Sequence, residues 1–381
     1  MGFLRNRRVR NWVIQFLVIA GLAAAFGVVA VTTVTNLRLR GIPLGFEFLS
    51  MPSGMPIAEA LIAYTPASPY SRAILVGILN TIVVSAIVIV TSSVLGLFLG
   101  IMRLSGNPAI AGTARVWVEI ARNTPLIVIL LFVYGLWTAM PGVAGALEPL
   151  PGVFLSQRGV ALPAISFGPG AWMIAAGAAV ALAAIFAASK IASAIQARTG
   201  NRPLLVPIVA STEAVLVIAV LASGFAEFHI DWPERRRFNF IGGGEVSPEF
   251  ATLIVGLVIY TTGFIGEIAR SGILAVKIGY WEAASSLGLR RSQTLRLIVL
   301  PLALRVVVPP LNSQYINVVK NSTLAIAIGY QEFFTIAGTM INRTSHAIEG
   351  IVLILAVYLA INLALSTLMN WYNRRIALVE R

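Results

Sequence analysis

Residues 73–102 contain no charged side chain. A helix needs about 20 apolar residues to cross the hydrocarbon layer of a bilayer, so this stretch alone commits the chain to a membrane. Seven more runs of comparable character are found at about 12–34, 114–140, 171–189, 204–224, 249–269, 301–320 and 347–370. The run at 301–320 is the weakest, because Pro309 and Pro310 interrupt it. Proline is tolerated there when neighbours satisfy the freed backbone groups. The composition agrees: 58% of residues are hydrophobic and 11% are charged, against about 25% charged in a soluble domain. The expected fold is therefore an all-α integral membrane protein with about eight transmembrane helices.

Charge sets the expected orientation. The net charge is +13, which reflects arginine-rich loops on the cytoplasmic side and not a nucleic-acid partner. Arg5, Arg7, Arg8 and Arg10 place the N-terminus inside. Eight spans then put both termini in the cytoplasm, together with Arg103, Lys190, Arg270, Lys277, Arg290, Arg291 and Arg296. The first run has an apolar core of about 20 residues, longer than the 7–15 of a cleaved signal, and is expected to remain as a helix. Cysteine is absent, and the two histidines, His229 and His346, lie far apart. Neither a metal nor any other cofactor is expected. The lysines are Lys190, Lys277 and Lys320, and none completes a phosphate-binding Gly-x-x-x-x-Gly-Lys loop. The chain is therefore expected to have no ATPase site of its own.

The most specific segment lies in the polar break before the seventh run. Glu282, Ala283 and Ala284 are followed by Gly288, then by Ile298, Leu300 and Pro301. Ala283, Ala284 and Gly288 give a helix face with little bulk, which another protein can approach closely. Glu282 is expected in the first helical turn, where a negative charge suits the dipole. Gly288 can end the helix in a left-handed conformation, and Pro301 marks a new start or a kink. These seven positions resemble the Glu-Ala-Ala ("EAA") loop of bacterial ATP-binding-cassette importer permeases. In that family the loop is a short cytoplasmic helix held in a cleft of the ATPase.

Other segments resemble the polar-amino-acid branch of the same permeases. They are Gly77-Ile-Leu-Asn-Thr81, Arg122-Asn-Thr-Pro-Leu126, Glu267-Ile-Ala-Arg-Ser-Gly-Ile273 and Lys320-Asn-Ser-Thr-Leu324. Asn123 stands where the branch has Gly, and Tyr280 where it has Gln. The resemblance implies a type I importer core of five helices. To this are added an N-terminal segment (1–72) and an insertion (141–248) between core parts 73–140 and 249–381. The whole is similar to the larger permease subunit of general L-amino-acid importers. It further implies two cytoplasmic ATP-binding subunits, a second permease subunit, a periplasmic amino-acid-binding protein and surrounding membrane lipid. The expected function is ATP-driven import of polar L-amino acids across the bacterial inner membrane.

Arg122, read as the inner end of the third run, is expected to snorkel to headgroups. Glu267 and Arg270 share a helix face and can pair. Charges within apolar runs usually face a partner or a cavity, which draws attention to Glu213, Glu267 and Lys320. The residues Asn317, Lys320, Asn321, Ser322 and Thr323, with Glu267, form the candidate substrate path. Glu213 lies in the insertion and reads either as a path residue or as an interhelical hydrogen-bonding group. The outer loop bearing Arg235, Arg236 and Arg237 is either a docking surface for the binding protein or a solvated loop with nearby acids. The alternative function is a cation-gradient-driven secondary transporter of small polar solutes, with Glu213 as its coupling acid.

Overall fold

The computed structural model describes residues 7–39, 41, 45–167, 171–199, 203–205, 207–212 and 228–376. Its helices are α1 (Arg7–Leu39), α2 (Tyr70–Met102), α3 (Pro108–Asn123), α4 (Leu126–Thr138) and α5 (Ala171–Thr199), then α6 (Pro248–Leu274), α7 (Ile278–Ser286), α8 (Leu300–Asn321), α9 (Phe333–Thr344) and α10 (Ala347–Ile376). Among the described residues, five helical stretches are long and apolar enough to cross a bilayer: Asn11–Asn36, Tyr70–Met102, Pro248–Leu274, Ser292–Ala327 and Ala347–Arg374. The chain forms two compact units, one of 1–134 with 252–381 and one of 135–251.

The expected third span is not one straight helix. α3 and α4 meet at a bend of 106° and cross as one span only if the bent pair is counted together. The break follows from Pro125, which has no N–H to donate and forces the residue before it out of the helical region. Thr124 is accordingly extended at φ −94°, ψ 127°. α3 starts on Asn107, whose side chain accepts from Ala109 N at 2.9 Å, with Pro108 in the first turn. α3 buries Ala114, Val118 and Ala121 and leaves Trp117 and Ile120 outward. Arg122 does not simply reach for headgroups, since its guanidinium lies 5.5 Å from the Phe264 ring centroid. Of the fourth and fifth expected spans, the first corresponds to α5, with a short apolar stretch at Ala183–Gln196. Most of the second, with Glu213, lies outside the described residues.

Small residues set the packing of the larger unit. A Cβ at Gly96 would sit 2.6 Å from Ile265 Cβ, and one at Gly100 would sit 2.6 Å from Ala269 Cβ. The small-xxx-small pair of α2 is thus where α6 approaches, as membrane helices with such pairs do. Ser93 Oγ meets Tyr315 Oη at 2.8 Å and joins α2 to α8. At the other end of α2, Tyr70, Ala73 and Ile74 share a buried cluster with Phe48, Met55, Phe333, Ile336 and Met340. That cluster fastens α9 and the extended segment after Phe48 onto the start of α2. α1 keeps Trp12, Phe16 and Phe26 exposed, which suits contact with lipid or with another membrane chain.

The smaller unit carries structure that hydropathy did not signal. Strands β1 (Leu147–Leu150), β2 (Val153–Ser156), β3 (Gly159–Leu162) and β8 (Gly244–Val246) form an antiparallel sheet in the order β1-β2-β3-β8. β4 (Ala164–Phe167) pairs with β5 (Phe228–Asp231), and β6 (Glu234–Arg235) with β7 (Phe240–Ile241). Val143, Ala146, Phe154, Ala161 and Phe240 make its buried cluster. The three arginines are dispersed: Arg235 lies over Phe154 at 5.8 Å, Arg236 pairs with Glu234 at 3.2 Å, and Arg237 lies over Phe238 at 5.3 Å.

Candidate functional site

α7 carries the Glu-Ala-Ala residues. It ends where Gly288 takes φ +71°. Gly288 N donates to Ser285 O at 2.9 Å and Leu289 N to Ala284 O at 3.1 Å. This pair of bonds across a left-handed glycine is the Schellman arrangement, as the sequence suggested. Two expectations need correction. α7 begins at Ile278, so Glu282 lies in the second turn, and the first turn holds no acid. Its charge therefore gains little from the helix dipole, which acts mainly within the first turn. Ala284 is not on the open face: it is fully buried, while Glu282, Ala283, Ser285, Leu287 and Gly288 are exposed. A helix has one inward stripe, and Ala284 takes it because its own chain needs the close approach there.

The inward side of α7 rests on a small core of Val276, Val299 and Ala303, flanked by Ile273, Trp281 and Leu302. After α7 a short turn, Arg291–Thr294, leads into a π-helical stretch, Leu295–Val299, and then into α8. The wide turn has a covalent cause. Pro301 is the second residue of α8 and cannot donate to the carbonyl four residues before it. Leu300 N instead reaches Leu295 O, five residues back. Ile298 is half-buried, whereas Leu300 and Pro301 are exposed. A cleft of about 580 Å³ runs along α7 past Trp281, Glu282, Ser285, Leu289 and Thr294. On the other side, an apolar cavity of about 830 Å³ is walled by Ile101, Ile273, Val276, Trp281, Leu295 and Val299.

Glu267 closes the same end of the bundle. Its carboxylate pairs with Arg270, Nη2 to Oε1 at 2.5 Å, and with Arg103 at the end of α2. The pairing with Arg270 matches the three-residue spacing; Arg103 is a partner that the spacing did not reveal. Glu267 is thus not grouped with the other candidate path residues. Those lie at the far end of α8, whose 22 residues at about 1.5 Å each extend about 33 Å. There Lys320 and Asn317 are exposed and Asn321 is half-buried. Ser322 is buried and donates to Val319 O at 2.8 Å, and Thr323 Oγ1 donates to Lys320 O at 2.7 Å.

Just beyond that end lies a polar centre that the sequence reading missed. Glu332, at the cap of α9, has no exposed surface. Its Oε1 accepts from Thr335 N at 2.8 Å and from Thr335 Oγ1 at 3.2 Å. Its Oε2 accepts from Tyr358 Oη at 2.7 Å and from Thr81 Oγ1 at 3.2 Å. Beside it, Asn80 Nδ2 donates to Gln331 O and to Glu59 O, both at 2.9 Å. Burial pushes the Glu332 carboxyl above the ordinary carboxylate range, against the pull of those donors. Burial, with Glu59 and Glu332 nearby, raises the Tyr330 hydroxyl as well. A signal was available in the Asn80-Thr81 pair, an amide and a hydroxyl side by side in the first half of a long apolar span.

Among the described residues no group of three or more His, Cys, Asp or Glu could hold a metal ion. The arrangement comprises apolar helices, an exposed short helix at one end and a buried polar centre at the other. Such a molecule is a multi-pass helical membrane protein. The comparisons narrow this. Residues 203–378 match the family model described as the binding-protein-dependent transport system inner membrane component. Over 385 aligned residues, 99% of this chain and 96% of the relative, the chain is 43% identical to the putative amino-acid ABC transporter permease protein YhdX of Escherichia coli. It is 39% identical to the general L-amino acid transport system permease protein AapQ of Rhizobium johnstonii, covering 98% of this chain and 94% of the relative. It is 35% identical to the glutamate/glutamine/aspartate/asparagine transport system permease protein BztB of Rhodobacter capsulatus, covering 99% and 96%. The chain belongs to the amino-acid ABC transporter permeases, multi-pass proteins of the inner membrane.

Proposed function

We propose that this chain forms part of the translocation path for polar L-amino acids in an ATP-driven importer, and that α7 is the element through which ATP hydrolysis acts on it. The supporting observation is the exposed, Schellman-closed helix bearing Glu282, Ala283 and Gly288. Its buried side, Ala284 and Trp281, is continuous with the packing under α8. A cytoplasmic ATP-binding subunit gripping α7 would move the Leu295–Val299 turn and α8 with it. Two such subunits, a second permease chain and a periplasmic amino-acid-binding protein complete the assembly, a reading supported by the family model's description as a component of a binding-protein-dependent transport system. ATP is hydrolysed on the partner chains, because this chain has no Gly-x-x-x-x-Gly-Lys loop. Both termini are cytoplasmic and the β-strand unit is periplasmic.

Asn317, Lys320, Asn321, Ser322 and Thr323 border the path, with Lys320 attracting the substrate carboxylate. Glu267 has a different part, holding α2 to α6 beneath the path. The test is the assembled transporter in proteoliposomes. ATP-dependent uptake of labelled polar amino acids is expected, with Lys320→Gln reducing it unequally for acidic and basic substrates. Uptake driven by an ion gradient without ATP would refute the reading. A periplasm-active reporter is expected to give signal when fused after Glu245 and none after Arg381.

A further inference from the structure

On α9, Thr335, Thr339 and Arg343 follow one another at intervals of four, continuing a line that starts at Gln331. Residues four apart share one face of a helix. This face turns toward the extended segment Met55–Ile57, and between them lies a cavity of about 260 Å³ lined by Met55, Gln331, Thr335, Thr339 and Arg343. Its volume falls just below the 300–1,000 Å³ of sites for drug-sized ligands, which suits a single free amino acid. It lies at the end of the bundle opposite α7.

The polar groups around it divide by what they have left to offer. Gln331 is spent on its own chain: Nε2 donates to Pro56 O at 2.6 Å, and Oε1 accepts from Ala58 N at 3.0 Å. Arg343 Nη1 donates to Ser53 O at 3.2 Å. A guanidinium carries five N–H donors in a fork, so most of its donors remain for a ligand. Among the described residues Arg343 forms no ion pair. The hydroxyl hydrogens of Thr335 and Thr339 are already directed to Glu332 Oε1 at 3.2 Å and to Thr335 O at 2.9 Å. Each hydroxyl is therefore left with oxygen lone pairs only, and acts toward the cavity as an acceptor. The cavity has a donor end and an acceptor end. Gly54, at φ +62°, leaves room for the guanidinium, since a Cβ there would stand 3.1 Å from Arg343 Nη1.

We infer that this cavity is an entry subsite for a free α-amino acid, with Arg343 taking the carboxylate and the Thr335 and Thr339 hydroxyls accepting from the ammonium. The inference rests on the proposed importer function and adds a site apart from the Lys320 region. Glu332 is its positioning residue, because it orients the Thr335 hydroxyl without reaching the cavity. A side chain acidic, amidic or apolar projects through the open mouth, so the subsite reads the backbone of the amino acid and leaves selection among side chains to other parts of the system.

The test uses the complete transporter in lipid nanodiscs, without the binding protein. Equilibrium binding is measured for labelled L-glutamine, L-glutamate, L-histidine and L-leucine, with 4-aminobutanamide, glutamine lacking its carboxylate, as competitor. Saturable binding of at least one amino acid is expected, with no competition from the decarboxylated analogue. Arg343→Lys keeps a donor for Ser53 O but loses the fork that matches a carboxylate, and should weaken binding at least tenfold with assembly intact. Thr339→Val should weaken it several-fold. Absence of saturable binding, equal competition by 4-aminobutanamide, or unchanged affinity in both variants would overturn the subsite. A loss confined to binding-protein-stimulated ATP turnover, with amino-acid affinity unchanged, would overturn it too and assign Arg343 to protein docking. Uptake by the wild type separates the two levels. ATP-dependent import with binding unaltered in both variants sinks only the subsite, whereas absence of any amino-acid import sinks the importer function beneath it.

Discussion

Gly288 gives the sharpest test of how α7 is built. It sits at φ +71°, and a Cβ placed there meets nothing within 4 Å in this chain. Within the subunit, then, any cost of a side chain at 288 is a backbone cost. The left-handed conformation costs about 1–2 kcal/mol for an ordinary L-residue. Asn escapes much of this and a β-branched residue pays most. If Val drives the terminus out of that conformation, the bonds from Gly288 N and Leu289 N are lost as well, at about 0.5–1.5 kcal/mol each. If the variant's turn relaxes in the free subunit and must re-form to dock, a penalty of about 2 kcal/mol weakens docking roughly 30-fold, since each 1.4 kcal/mol is about tenfold. The affinity of the purified membrane subunits for the ATP-binding subunits should therefore fall about 30-fold or more for Gly288→Val. It should fall about five- to tenfold for Gly288→Ala and less than about threefold for Gly288→Asn. Uptake should follow the same order. If Asn harms as much as Val, bulk against the partner is the governing term and the backbone argument is wrong. If Val is as harmless as Asn, the left-handed turn has no part in coupling.

Two further outcomes are expected. Glu332→Gln should cost about 1–3 kcal/mol, because an amide nitrogen replaces one of two oxygens that each accept two hydrogen bonds, and Glu332→Leu about 2–4 kcal/mol, because the Tyr358 hydroxyl and Thr335 N lose their acceptor while Thr81 keeps its bond to Gly77 O. Since the folded state holds the Glu332 proton more tightly than the unfolded chain, its contribution is full below the ordinary glutamate pKa of about 4.3 and declines as pH rises above it. Thermal melts from pH 5 to 8 should show that decline, and the Gln variant should flatten it. Glu267→Gln leaves Arg103 and Arg270 without a counter-charge. Their side chains are only 13% and 28% exposed, so about 1–3 kcal/mol is expected, below the 3–5 of a fully buried pair. A melting temperature equal to wild type would show that the ion pairs do not hold α2 to α6.

Much of this molecule was legible in one dimension because its governing forces are local. Apolar runs longer than a bilayer is thick admit few structures other than helices, and residues 73–102 needed nothing more. Gly288 and Pro301 act through their own backbone: one tolerates a positive φ, the other lacks an N–H, and both effects occur where the sequence indicated. The Arg270 partner of Glu267 followed from helical spacing alone. The bend between α3 and α4 was also written in the sequence at Pro125, but hydropathy averaged over a window passes across a single proline.

The rest depended on residues far apart in the chain. Arg103 meets Glu267 across 164 positions, and Thr81 meets Glu332 across 251. No periodicity encodes such pairs. Which of the two alanines of α7 faces inward was likewise undecided, since Ala283 and Ala284 are chemically identical and only the packing under α8 distinguishes them. The polar stripe of α9 becomes a cavity only because the segment after Phe48 folds over it. The sequence by itself determined that the chain is a helical membrane protein with a short, glycine-terminated helix between two spans, because bilayer thickness and backbone sterics act residue by residue. Only the tertiary structure decided which polar groups are buried together and which are left free to bind, because burial belongs to surfaces that distant segments create when they meet.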